Sequence, residues 1–164
     1  MRKLCIILIL LGISLNSFAP VLSRDYINKR FDNTVKEILI EQRVDIILKT
    51  LRFIESENDY SLSGASGEYG AYQFTKPTWK YYSYVFFKEY LDITIPNNQD
   101  KVARAKVRML VDNNFTDEEI ASFWNSGRKD YKGRIGINKY GVRYNVPKYV
   151  NKFINTKLKF TNDK

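Results

Sequence analysis

The sequence contains no histidine, and its single cysteine is Cys5. Without imidazole, neither a Ser-His-Asp nor a Cys-His relay can be assembled, and zinc sites built from His or Cys are excluded as well. Internal repeats, low-complexity tracts and interdomain linkers are missing too, so 164 residues are expected to make one domain with its own core. Chemistry, if there is any, falls to carboxylates, hydroxyls, amides or lysine.

What the chain does have is aromatic residues and positive charge. Twelve tyrosines, ten phenylalanines and two tryptophans bring the aromatic share to 15%, more than a core alone asks for, which fits an aromatic-lined surface groove. Residues 1–23 read as a secretory signal. Arg2 and Lys3 precede an apolar run from Leu4 to Leu15 that is too short to span a bilayer stably, and small residues before Arg24 suit cleavage there. An uncleaved signal-anchor is the alternative. The expected location is the periplasm or the extracellular space. Cys5 sits too early for lipid attachment, and residues 24–164 carry 25 basic against 18 acidic side chains, a net of +7. Such a basic exported chain suits an anionic polymer such as a bacterial wall or a membrane surface, although the same charge also serves plain solubility.

The apolar pattern is helical nearly throughout. Asn33-Thr34 is a candidate cap for a helix through Val35, Ile38 and Leu39, and Val44, Ile47, Leu51 and Ile54 form an amphipathic stripe. Pro77 suits the first turn of a second helix. Ala103, Val107 and Leu110 mark the inner face of a third, over about residues 99–112. Thr116-Asp117-Glu118-Glu119 is a capping box, and a last helix beginning near Pro147 carries Val150, Phe153, Ile154 and Leu158. Glycines and tyrosines over 127–144 predict a loop or small hairpin. The expected class is all-α, with a Gly-rich loop at Gly64, Gly67 and Gly70.

Before that loop the helix ends in Glu55-Ser56-Glu57. Ile47, Leu51 and Glu55 are four apart, so Glu55 shares the apolar face, while Glu57 points elsewhere. Partial burial and the carbonyl end of a helix both disfavour a negative charge, raising a carboxyl pKa as a general acid requires. A helix-terminal acid fraying into solvent is the plainer alternative. The loop is no phosphate cradle, since no Gly-Lys-Ser/Thr follows. Gln73, between Tyr72 and Phe74, offers an amide donor and acceptor of the kind that binds sugar amides.

Together, "ESENDYSLSGASGEYGAYQFTKPTW", "ASFWNSG" and "NVPKYVNKF" resemble, in order and spacing over roughly residues 45–155, the four motifs of the lytic transglycosylase, goose-type-lysozyme-like superfamily. The resemblance implies a lysozyme-like α domain over residues 24–164 with an active-site loop. It makes Glu55 the sole catalytic acid/base and Ser56 a substrate-orienting residue. Gln73 would hold the acetamido sugar, with Tyr72 and Phe74 shaping the groove, Trp124 and Asn125 lining it, and Tyr149 facing Glu55. Trp124 also fits an apolar helix face with Ile120 and Phe123, and a core role is open for Tyr149 too. Trp124 stands where Tyr is usual, and Asn145 where many relatives carry Glu.

The implied reaction is cleavage of the bond between N-acetylmuramic acid and N-acetylglucosamine to 1,6-anhydromuramyl ends, with no cofactor and no metal. The expected partner is the peptidoglycan glycan strand, with an envelope or secretion apparatus as a further candidate; nucleic acid is disfavoured, and a monomer is expected. Two other readings stand. Asp59 or Glu68 as a second carboxylate would make a hydrolytic lysozyme. Loss of activity with the fold kept would make a wall-binding component.

Overall fold

The chain's computed structural model describes residues 24–137, 141 and 143–162; the signal expected over residues 1–23 lies outside them. The described residues form helices α1 (Arg24–Ser56), α2 (Lys76–Phe87), α3 (Pro96–Asp112), α4 (Asp117–Ser126) and α5 (Val146–Asn162). Two short antiparallel pairs interrupt them, β1 (Glu68–Tyr69) with β2 (Phe74–Thr75) and β3 (Ile135–Ile137) with β4 (Arg143–Asn145). The chain is thus mostly helical. Among the described residues no helix is long and apolar enough to cross a membrane.

The chain divides into two units after Glu37. In the first, Tyr26, Ile27, Phe31 and Val35 are exposed. The cap expected at Asn33-Thr34 does not form. Both residues lie inside α1, and the Thr34 hydroxyl donates to the Arg30 carbonyl at 2.9 Å, one turn back, instead of accepting from a free N–H.

In the second unit the α1 stripe Val44, Ile47, Leu51 and Ile54 is buried with Val102, Ala103, Val107, Leu110, Val150 and Phe153 in one core. The helix closes where Glu57 and Asn58 adopt left-handed backbone, their N–H groups bonding to the Phe53 and Arg52 carbonyls. Helix α2 starts behind Thr75, whose hydroxyl accepts from Thr78 N, with Pro77 in the first turn. Helix α3 begins at Pro96, three residues before the expected start, because proline is itself a good first helical residue.

The capping box of α4 is complete. Thr116 Oγ1 accepts from Glu119 N while Glu119 Oε2 accepts from Thr116 N, and Gly127 ends the helix at φ 71°. Asn145 Oδ1 accepts from Lys148 N at 2.9 Å, capping α5. Helices α4 and α5 pack together. Val150 and Phe153 are buried, but Leu158 is exposed, because the last turns of α5 run past the core. The 127–144 excursion carries a β-pair, and its second strand extends to Asn145. The β1–β2 pair was not legible beforehand: two-residue strands leave no periodicity to read.

Candidate active site

Helix α1 delivers Glu55 into a groove of about 700 Å³, also lined by Glu68, Tyr72, Gln73, Phe74, Tyr82, Lys106, Trp124 and Asn125. A second cavity of about 1020 Å³ adjoins it, because Glu68 and Asn125 line both. Its other walls are the β3–β4 pair and the α5 residues Lys148, Tyr149 and Lys152. Together the two make a trough.

Glu55 is half-buried, and burial pushes its carboxyl up to about 7 against the opposing pull of a Tyr149 hydrogen bond and the charges of Lys152 and Lys106; Glu68 adds to the rise. The Tyr149 hydroxyl donates to Glu55 Oε1. Lys152 Nζ donates to the Ile54 carbonyl at 2.9 Å, placing a cation at the negative end of α1. The result is a carboxyl near half-protonation at neutral pH, with its orientation fixed by a phenol. This is what a group must have if it is to give up a proton and take one back. Tyr149→Phe removes the donor that favours the carboxylate. NMR titration of the Glu55 carboxyl is expected to move up by roughly one unit in that variant; an unmoved titration would separate Tyr149 from Glu55.

The other expected site residues divide. Trp124 is partly exposed to the groove, and Asn125 is exposed at the junction of the two cavities. Tyr72 and Phe74 are almost wholly buried, so they shape the groove from behind; the Phe74 ring lies 5.3 Å from Trp124 and 5.5 Å from Trp79, and the Tyr72 hydroxyl donates to Asp100 at 2.8 Å. Gln73 reaches the groove, but its amide nitrogen already donates to the Leu62 and Gly70 carbonyls at 3.1 and 2.9 Å. It also holds a left-handed φ of 48°. Only its carbonyl side remains for a ligand, and its main work is to brace the loop.

Ser56 is not in the groove wall. Its buried hydroxyl bonds to the Ala71 carbonyl at 2.9 Å, locking the end of α1 to the loop, so the structure gives no direct route to substrate orientation. Asp59 is exposed and outside both cavities; it accepts from Ser61 N and Oγ at 2.7 Å in a local turn, which holds its carboxyl below the usual range. Glu68 lies on β1 opposite Thr75 rather than in free loop, and its Oε2 accepts from Ser66 N at 2.9 Å.

Three contributors escaped sequence reading. Gln99 is fully buried, accepts from Ala71 N at 2.7 Å, and donates to the Tyr60 and Ile93 carbonyls at 2.9 and 2.7 Å. Asp100 gathers the Tyr60 and Tyr72 hydroxyls at 2.9 and 2.8 Å, with Arg52 at 3.4 Å. Lys106 is buried inside a group of rings in the groove. Comparison with known proteins finds no matching family model, no matching characterised protein and no matching solved structure.

Proposed function

We propose that this chain is an exported lytic transglycosylase with a lysozyme-like arrangement, cleaving peptidoglycan glycan strands between N-acetylmuramic acid and N-acetylglucosamine. The observation that carries the reading is Glu55, a carboxyl poised near neutrality, oriented by Tyr149 and set in an aromatic-walled trough. The motif resemblance supports the same role. A trough of two adjoining cavities suits a polymer that passes through, and sugar rings stack well on Trp124 and its neighbours.

In this reaction Glu55 gives its proton to the bridging oxygen as the C1–O bond breaks. The acetamido oxygen of the muramyl residue bonds to C1 and carries the developing positive charge. The Glu55 carboxylate then takes the proton of the C6 hydroxyl, whose oxygen attacks C1 and releases the acetamido group. Glu55 ends protonated, as it began, and the product is a 1,6-anhydromuramyl end. The bound C6 hydroxyl needs no diffusion, so proximity favours it over water.

One observation favours hydrolysis instead. Glu68 borders the same groove on a paired strand, better held than a loop residue, and a second carboxylate across the groove is what a hydrolase uses. Digestion of purified peptidoglycan decides between them. The expected products are mainly anhydro ends, lighter by one water than hydrolysed ends, and Glu68→Gln should leave them unchanged. Mainly reducing muramic acid ends that disappear in Glu68→Gln would make this a lysozyme, and no cleavage at all would leave a wall-binding role.

A further inference from the structure

Lys106 is a charged side chain that the proposed chemistry does not use. It sits on α3 with 4% of its surface exposed, yet it lines the groove beside Glu55. Its ammonium lies 3.9 Å from the centre of the Trp124 ring, 5.0 Å from Tyr82, 5.6 Å from Phe74 and 5.9 Å from Phe123. Among the described residues no hydrogen bond or close ion pair reaches it, and the Glu55 carboxyl acts on it through charge alone. Ring faces return only part of the hydration that an ammonium loses on burial, so burial lowers its proton affinity to about 7 against the opposing pull of the Glu55 carboxylate. When Glu55 is protonated, a cation kept dry, half-satisfied and open to the groove is left without an anion.

We propose that Lys106 and its ring cage form an anion subsite in the groove, taking a carboxylate of the bound glycan. This rests on the glycan reading above. A carboxylate there would supply the ion pair and the charge-assisted hydrogen bond that the rings cannot. Glu55 and Glu68 line the same groove; Glu55 in its protonated form does not repel the incoming charge. Muramyl glycan offers the carboxylate from two sources. One is the lactyl group of a strand without peptide, and the other is the acidic residues of a peptide stem.

Binding of three uncleaved probes to the full chain separates them. The first is the N-acetylglucosaminyl-N-acetylmuramic acid disaccharide, the second its lactyl carboxamide, and the third the same disaccharide bearing a peptide stem. Wild type is expected to bind the free acid about tenfold more tightly than the carboxamide, the size of one charge-assisted bond. Lys106→Met should abolish that preference and leave carboxamide affinity unchanged. If the stem-bearing probe alone gains affinity, and loses it in Lys106→Met, the acid is in the stem. Should Lys106→Met fail to fold, Lys106→Gln carries the same comparison. Wild type that binds all three alike overturns the subsite, as does a preference that survives loss of the lysine. Wall digestion run in parallel keeps the two ideas apart: cleavage without acid preference sinks the subsite alone, whereas neither cleavage nor binding sinks the glycan reading as well.

Discussion

Glu55→Gln is expected to reduce turnover on purified wall by about 10²–10⁴-fold, towards the upper end because in the proposed reaction a single group both gives and takes the proton. Glutamine keeps the shape and an oxygen to accept from Tyr149, but it has no acidic proton to give. The same substitution should stabilise the fold, and the sign follows from linkage. The Glu55 carboxyl titrates near 7 in the folded chain against 4.5 for the unconstrained group, so the folded state holds a proton that the unfolded state has released. Its contribution is fully present below pH 4.5, is lost as pH rises to about 7, and stays lost above. At pH 8 the ionised side chain then costs on the order of 3 kcal/mol, and glutamine removes that cost. Thermal unfolding at pH 8 should show Glu55→Gln melting above wild type, with the gap closing near pH 4. An inactive variant that is more stable than its parent cannot owe its inactivity to misfolding. Near-normal turnover, or a lower melting temperature at pH 8, would remove Glu55 from the catalytic role.

The helices that carry the site were readable wherever a local pattern decides local structure. The stripe Val44, Ile47, Leu51, Ile54 set the face of α1, and with it the burial of Glu55. Thr116 and Glu119 close a box that needs only neighbouring backbone. The reading failed where partners come from distant sequence. Thr34 looked like a cap but bonds backwards inside α1, and Ser56 looked like a substrate contact but reaches the Ala71 carbonyl. Lys106 and Gln99 left a signal that went unread. They stand seven apart, in the inward register with Val102, Ala103 and Leu110, where an amphipathic helix ordinarily places apolar residues. A polar residue in that register must find a buried partner. The helix pattern does not say which, because Ala71, Tyr60 and Ile93 reach Gln99 only through the tertiary fold.

That dependence makes Gly70→Ala the most damaging small substitution in the loop. Gly70 holds φ at +82°, which strains any residue with a Cβ. A Cβ there would also stand 2.1 Å from Gln99 Oε1, 2.4 Å from its Cδ and 2.5 Å from its Nε2. Gln99 cannot simply swing away, since its amide bridges Ala71 N, the Tyr60 carbonyl and the Ile93 carbonyl inside a fully buried site. Moving it strands buried polar groups at about 1–3 kcal/mol each, on top of about 1 kcal/mol or more of backbone strain, so a loss of about 3–5 kcal/mol is expected. Gly67→Ala is the matched control. Its φ is +87°, but nothing lies within 4 Å of the added carbon, so strain alone should cost about 1–2 kcal/mol. Gly70 N also donates to the Leu62 carbonyl, and the Gly70 carbonyl accepts from both nitrogens of Gln73. Displacing it therefore shifts the groove wall at Gln73, and the proposed wall-degrading activity should fall with stability. Denaturant unfolding of the two variants side by side tests the account. Equal costs at Gly67 and Gly70 would show that Gln99 yields freely and does not hold the loop against α3.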